Sequence, residues 1–347
     1  GIFATGKHFP GHGDTATDSH YSLPLVNFSR ERLENVELYP YKRMFDEGLE
    51  SVMVAHLNVP SLEVRPEVPT SLSYNVVTDL LKKEMAFDGL IFTDALNMKG
   101  ASNFKKPGDI DLEALIAGND ILLFAENVPV AVEKITAAYN EGLVTDERLA
   151  YSVKKILHYK YKIGLHKYKP IDETNLMPDI NPSSNVALQY ELFENAITLL
   201  KNDNTILPIK ELDKKIAYVK LGDDTNTKFL STLKKYTDVI EVTSENIESL
   251  NVQLKNFDIV IVGFHKSDKA WKKHDFTETE LLWLQEIAKK NKVILDIFTK
   301  AYSLLPITTF DEIESVIVSY QNGDIPQEVS AELIFGAIDA KGKLPVS

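Results

Sequence analysis

Cysteine is absent from the 347-residue chain, and this absence excludes several kinds of chemistry at once. Without cysteine the chain forms no disulfide, thiolate nucleophile, cysteine-ligated zinc site or iron–sulfur cluster. Basic residues are few as well, since 38 Lys and Arg stand against 51 Asp and Glu and give a formal net charge of −13. Nucleic acids and anionic membranes are bound by clustered Lys and Arg, so this balance argues against both partners. No apolar run approaches the ~20 residues of a membrane-spanning helix.

The chain also begins without an initiator methionine and without the charged-then-apolar pattern of a signal peptide. Its first residues run directly into a stretch dense in motifs. We therefore expect it to be the later part of a longer polypeptide. A length of 347 residues, 44% of them hydrophobic, predicts two globular domains.

Hydrophobic patterning predicts alternating strands and helices along the chain. Up to residue 165, strands are expected at residues 2–5, 51–56, 89–94 and 121–124, and helices at 74–86, 111–117, 129–141 and 146–163. Residues 166–185, rich in Lys, Pro and Asn, read as a linker. Beyond them we expect a helix at 186–200 and strands at 216–219, 258–262, 293–298 and 315–318. Repeated strand–helix units with wholly apolar strands indicate α/β domains with parallel sheets.

Polar residues concentrate in the segment 7–20, which contains three of the eight histidines, His8, His12 and His20. Its Pro and Gly residues favour a loop, and it follows the first predicted strand. Asp94 ends another predicted strand. Parallel α/β sheets carry their working groups after the carboxyl ends of strands, so both places are candidate site positions.

Residue types alone leave three interpretations of this segment open. It could ligate a metal through His8, His12, Asp14, Asp18 and His20. Alternatively, Asp18 could orient the His20 imidazole as a general acid/base while a carboxylate elsewhere attacks the substrate. The third interpretation is a solvated polar loop without a role. His56, at the end of another predicted strand, could either contact a substrate or be a satisfied structural histidine.

The motifs themselves resemble glycoside hydrolase family 3. Residues 7–13 read KHFPGHG and are followed by Asp18-Ser19-His20, while residues 93–98 read TDALNM. Within the family, the Asp18–His20 pair resembles the pair found in the β-N-acetylglucosaminidase branch. The β-glucosidases of the family lack such a pair. Near the end, residues 319–322 (SYQN) and 342–347 (GKLPVS) resemble closing segments of the family's second domain, so the resemblance spans essentially the whole chain.

The resemblance implies a two-domain α/β fold. Residues 1–165 would be the C-terminal half of a (β/α)8 TIM-type barrel, residues 166–185 a linker, and residues 186–347 an αβα-sandwich domain. The earlier barrel half is missing from this chain, and we expect it in the native protein, because a half barrel exposes unpaired strand edges and an open apolar interior.

The resemblance also implies residue roles. Asp94 would be the nucleophile of a retaining mechanism, His20 the acid/base, and Asp18 the residue that holds and polarises His20. Lys7 and His8 would bind hydroxyls of the sugar. No metal or cofactor is implied. The resemblance does not fix the cellular compartment of the protein. It favours the cell envelope, because the family has exported two-domain members.

The implied activity is that of a retaining exo-β-N-acetylglucosaminidase acting on terminal GlcNAc of peptidoglycan fragments or related oligosaccharides. The alternatives are a β-glucosidase or glycoside phosphorylase of the same family, a metal-dependent hydrolase that uses the His/Asp loop, and a non-catalytic carbohydrate-binding remnant. Trp271 is either a surface residue or a platform on which a sugar ring stacks.

Overall fold

Two units make up the computed structural model, which describes residues 2–269 and 272–346. The first unit is Gly1–Ile171 and the second is Asp172–Ser347. The division falls inside the segment predicted as a linker, but part of that segment is helical. Trp271 and Ser347, named above, lie outside the described residues. Among the described helices, none combines the length and apolarity that crossing a bilayer requires.

A parallel sheet organises the first unit. Its strands are β1 (Thr5–Phe9), β2 (Ser51–Val54) and β3 (Leu90–Thr93), in the order β1-β2-β3. Thr5 pairs with Ser51, and Ser51 pairs with Leu90. Its helices are α1 (Arg30–Asn35), α2 (Tyr39–Asp46), a π-helix (Asn75–Glu84), α3 (Lys99–Ser102), α4 (Asp109–Ala117), α5 (Val128–Asn140) and α6 (Asp146–Lys162).

The helices predicted in this unit are confirmed to within two residues at each end. Side-chain caps account for two of the starts, since Asn127 accepts from the backbone of Val130 and Thr145 from that of Arg148. Apolar residues one turn apart on the π-helix face the sheet, where Val77 and Leu81 are fully buried together with Val52 and Ile91.

Two strand predictions in this unit were wrong in position. The first strand is not at residues 2–5 but at Thr5–Phe9, because pairing with β2 continues to Phe9, whose ring is fully buried. Residues 121–124 form no strand and contribute a single bridge, Phe92 to Ile121. The backbone there instead bonds to the residues after β3, with the amide of Leu96 donating to the Leu123 carbonyl at 2.9 Å.

The second unit is built on a six-stranded sheet in the order β4-β9-β8-β7-β5-β6. The strands are β4 (Thr198–Asn202), β5 (Ile216–Gly222), β6 (Val239–Glu241), β7 (Ile259–His265), β8 (Val293–Phe298) and β9 (Ser315–Val318). Only β4 runs antiparallel to its neighbour among these pairings. The chain reverses its direction of winding between β5 and β7, which is the arrangement of a doubly wound α/β sheet.

The helices of this unit are α7 (Leu176–Ile180), α8 (Ser183–Ala196), α9 (Thr227–Leu233), α10 (Ile247–Leu254), α11 (Glu278–Ala288) and α12 (Asp324–Phe335). The helix predicted at 186–200 was wrong at its end, because it stops at Ala196 and Thr198 begins β4 by pairing with Val318. The four predicted strands are present, whereas β4 and the three-residue β6 were not predicted. Together the two units give the α/β fold expected from the sequence, with one parallel sheet and one separate six-stranded sheet.

Candidate active site

Asp94 lies immediately after β3, at the carboxyl end of the first sheet. Its backbone amide donates to the Val54 carbonyl at 2.9 Å, so the residue is fastened to the end of β2. Its Oδ1 accepts a hydrogen bond from the Ala95 amide at 2.8 Å, and its Oδ2 lies 3.6 Å from Nε2 of His8. With 14% of its side chain exposed, the carboxylate is held in place yet accessible.

His8 is brought to Asp94 by β1, because the carboxyl ends of parallel strands meet at one edge of the sheet. Burial lowers the pKa of His8, and the Asp94 carboxylate partly opposes that shift. Lys7 and His20 each lower the same pKa by charge repulsion. His8 is therefore a largely neutral imidazole that lies within electrostatic reach of both the Asp94 carboxylate and the His20 ring.

Asp18 and His20 form a hydrogen-bonded pair on the loop that follows β1. Oδ1 of Asp18 contacts Nδ1 of His20 at 2.6 Å and also accepts from the His20 backbone amide at 2.9 Å. These bonds lower the pKa of Asp18, with the backbone bond the larger cause. An ionised Asp18 can only accept, so Nδ1 carries the proton and Nε2 is the ring atom that exchanges one.

The loop is anchored through its middle residue. Ser19 is buried, and its carbonyl accepts from the amide of Gly100 in α3 at 3.0 Å. His12 braces the same loop, with Nδ1 2.8 Å from the Thr15 hydroxyl and Nε2 3.3 Å from the Ser19 hydroxyl. The Asp18–His20 pair is thus tied by the main chain to the segment that follows Asp94.

The five residues considered above as metal ligands are not assembled as a ligand set. Within residues 2–269 and 272–346, no three His, Asp or Glu side chains are grouped so that they could hold an ion. His12 is engaged by Thr15 and Ser19, and Asp14 contacts Arg32 at 3.2 Å. The geometry therefore favours the acid/base interpretation of the segment.

Lys7 precedes His8 on β1 and is exposed. Together they line a cavity of about 680 Å³, whose wall also includes Arg32, Glu37 and Tyr41. A further residue of the site, His56, could not be assigned by sequence reasoning. It is fully buried, and its Nε2 lies 3.0 Å from the carbonyl of Ala95, the residue after Asp94. The only sequence signal was its place at a strand end.

A largely neutral imidazole lies beside a carboxylate after β3, and a second imidazole is held by an aspartate on the loop after β1. A carboxylate and an imidazole are groups with which a glycosidic bond can be cleaved. Sequence profiles agree: residues 1–159 match the glycosyl hydrolase family 3 N-terminal domain and residues 197–347 match its C-terminal domain. The chain belongs to glycosyl hydrolase family 3.

Individual relatives are similar over part of their length. The chain is 32% identical over 234 residues to β-hexosaminidase A of Pseudoalteromonas piscicida, and 28% identical over 217 residues to a β-N-acetylglucosaminidase/β-glucosidase of Cellulomonas fimi. These alignments cover 61% and 60% of this chain, and 38% of each relative. The chain thus matches less than half the length of these curated relatives.

A solved structure resembles the whole chain. It is a glycoside hydrolase family 3 β-N-acetylglucosaminidase from Paenibacillus sp. str. FPU-7, with a TM-score of 0.81 and 25% identity. The match covers 100% of this chain and 67% of that protein.

Proposed function

We propose that the complete protein is a retaining exo-β-N-acetylglucosaminidase that releases terminal GlcNAc from peptidoglycan fragments or related oligosaccharides. The observation that carries the proposal is the 2.6 Å contact between Asp18 and His20 on a loop tied to the segment after Asp94. The relatives named β-hexosaminidase and β-N-acetylglucosaminidase support the choice of sugar.

In the proposed first step, the Asp94 carboxylate attacks the anomeric carbon and forms a glycosyl ester. The bond from that carbon to the leaving oxygen breaks, and Nε2 of His20 gives its proton to that oxygen. In the second step His20 takes a proton from water, which attacks the same carbon and releases Asp94, so the configuration is retained. Asp18 holds the ring and stabilises the imidazolium whenever His20 is protonated. Lys7 and His8 bind sugar hydroxyls.

An imidazole acid/base suits this arrangement electrostatically. A glutamic acid in the same place would set a second ionisable carboxyl near Asp94 and so disfavour the ionised nucleophile. His8, 3.6 Å from Asp94, is an imidazole and therefore sets no second carboxylate beside the nucleophile. Asp94 is followed by Ala95, whereas hexosaminidases that use the substrate's acetamido group usually pair Asp with Glu, so a direct nucleophile is favoured.

The first unit is proposed to be the later half of a (β/α)8 barrel. Within the described residues, β1 pairs with β2 alone, and β3 has a single bridge beyond it. Upstream strands would cover both edges, as barrels require. We accordingly expect residues 1–347 alone to turn over substrate about 100-fold more slowly than the full-length protein, since a misplaced or incomplete sugar site costs about that much.

Covalent trapping tests the proposed function. The full-length protein is incubated with 5-fluoro-β-N-acetylglucosaminyl fluoride, and the labelled peptide is mapped by mass spectrometry. The adduct is expected on Asp94, and Asp94→Asn should remove both the label and turnover of an aryl β-N-acetylglucosaminide. Asp88→Asn, which changes an exposed carboxylate six residues earlier, serves as the matched control. A label on another residue, or undiminished turnover by Asp94→Asn, would exclude Asp94 as the nucleophile.

Phosphorolysis is a second candidate, because an imidazole does not repel an anionic acceptor as a carboxylate would. The relative named as both β-N-acetylglucosaminidase and β-glucosidase makes glucosides worth testing too. Rates in phosphate and in an inert buffer of equal ionic strength distinguish the reactions. Indifference to phosphate, with no sugar 1-phosphate formed, leaves hydrolysis alone.

A further inference from the structure

His56 lies where three segments of the site meet. It follows β2 and is fully buried. Its Nε2 is 3.0 Å from the Ala95 carbonyl, and its Nδ1 is 2.7 Å from the hydroxyl of Ser71, which belongs to the turn Thr70–Leu72. The ring therefore links the end of β2 to the residue after the nucleophile and to a second loop.

The partners of the ring fix its protonation. A backbone carbonyl can only accept, so Nε2 carries the proton, and in the neutral ring Nδ1 accepts from the Ser71 hydroxyl. Burial lowers the pKa of His56, opposed in part by the Ala95 carbonyl and Asp94. The ring is thus a neutral donor of one defined tautomer, and it adds no positive charge that would weaken the Asp94 nucleophile.

Ala95 passes this restraint on to Asp94. The Ala95 carbonyl is held by His56, and the Ala95 amide donates to Oδ1 of Asp94 at 2.8 Å. Both polar groups of one residue are therefore engaged, one by the histidine and one by the nucleophile. Fixing the carbonyl limits rotation of the Ala95 backbone and so keeps the amide aimed at the carboxylate.

The same histidine supports the acid/base loop. A β-carbon built on Gly100 would lie 3.3 Å from Cβ of His56 and 3.0 Å from the Ser19 carbonyl, so α3 packs closely on both. Gly100 donates its amide to that carbonyl, and Ser19 stands between Asp18 and His20. A shift of His56 would therefore displace the loop as well as Ala95.

We propose that His56 is a positioning residue that sets the nucleophile and the acid/base pair relative to each other, through Ala95 on one side and Gly100 on the other. This inference rests on the proposed function, because it assigns Asp94 and His20 the roles given there. It requires no contact between His56 and substrate.

Three variants of the full-length protein test the proposal. His56→Leu removes the donor to Ala95 while keeping an apolar side chain of similar bulk, and His56→Gln replaces Nε2 by an amide nitrogen that can donate to the same carbonyl. Thr78→Val is the matched control: it removes a hydrogen bond of similar length, to the Ala117 carbonyl at 2.7 Å, which joins the π-helix to the end of α4. The probe is 5-fluoro-β-N-acetylglucosaminyl fluoride, and the measured quantities are the rate constant of adduct formation and the concentration for half-saturation.

His56→Leu is expected to lower the rate constant about 100-fold, because misplacement by ~1 Å costs that much, while half-saturation changes less than about threefold. His56→Gln should recover about tenfold of the loss, and Thr78→Val should stay within about threefold of the parent. Should His56→Leu not fold, Ser71→Ala takes its place, since it removes the hydroxyl that selects the tautomer; a loss of about fivefold is expected.

Two results would overturn the inference: a folded His56→Leu or Ser71→Ala protein that forms the adduct at the parental rate, or an equal loss in Thr78→Val. Failure of the proposed function looks different, since the parent itself would then form no adduct on Asp94.

Discussion

Asp296 offers the sharpest test of the energetics of the second unit. It lies within β8, is fully buried, and accepts hydrogen bonds from Ser319 at 2.8 Å and from Ser330 of α12. Burial raises the pKa of this carboxyl from 3.8 to about 7, more than the hydroxyl donors lower it. The folded protein therefore keeps Asp296 protonated at pH values where the unfolded chain has already ionised it.

The sign and size of the effect follow from that difference. A group with a raised folded-state pKa contributes its full stability below the unfolded pKa and loses it as the pH rises through the folded pKa. From below pH 4 to above pH 7 the whole loss is about 4 kcal/mol, from about three pKa units at 1.36 kcal/mol each. Asp296→Asn should remove this dependence, because the amide mimics the protonated acid and can pair with both serines.

Denaturant unfolding at several pH values measures the effect. Both tryptophans of the chain, Trp271 and Trp283, belong to the second unit, so tryptophan fluorescence of residues 1–347 follows that unit. Asp296→Asn should match the parent near pH 4 and exceed it by about 4 kcal/mol above pH 7. Asp238→Asn, at an exposed position, is the control and should track the parent. A constant difference between Asp296→Asn and the parent from pH 4 to pH 8 would refute the reasoning.

Three further predictions concern single side chains. Lys155→Met should destabilise the first unit by about 1.5–3 kcal/mol in chemical unfolding, because it removes the ammonium that lies 3.0 Å from buried Asp120; equal stability would contradict this. Gly222→Ala should lower the free energy of unfolding by at least ~3 kcal/mol, since φ is +91° and the new Cβ would lie 2.0 Å from the His265 carbonyl oxygen. Gly142→Ala is the control: φ is +76° but no atom lies near the new Cβ, so the loss in the same assay should be only about 1–2 kcal/mol. Asp18→Asn should lower kcat/KM about 100–10,000-fold for an oligosaccharide but less than about tenfold for a dinitrophenyl glycoside. Only the oligosaccharide has a leaving group that must be protonated. Equal losses for the two substrates would show that Asp18 has no part in acid catalysis.

Local apolar pattern was enough to predict four helices of the first unit and four strands of the second. The shorter helices α1, α2 and α3 were not predicted, because six, eight and four residues carry too few apolar positions to show a period. The pattern misplaced β1 because two polar residues, Lys7 and His8, lie within the strand itself. It missed β4 because residues 197–200 continue an apolar helical run, and only pairing with β9 makes them extended. Such pairing joins residues more than a hundred positions apart, beyond the reach of local periodicity.

The residues of the candidate site were predicted from sequence motifs. Their arrangement in space depends on strand pairing and on hydrogen bonds between segments, which the motifs do not specify. The spacing of Asp18 and His20 suggested their hydrogen bond, and the strand end suggested Asp94. The role of His56 could not be predicted in the same way, because a histidine that supports a loop and one that contacts a sugar look alike in sequence. Its partner Ala95 carries no side-chain polar group that would mark the contact.

The bond from Gly100 to Ser19 has a practical consequence for redesign. Since it joins main-chain atoms, it does not depend on the exposed side chain of Tyr21, two residues further along the same loop. Substitutions at position 21 would vary the surface of the loop that carries Asp18 and His20 while its attachment persists. Gly100 cannot be substituted in the same way, because even a methyl group would lie 3.0 Å from the Ser19 carbonyl oxygen and 3.2 Å from that of Ser22.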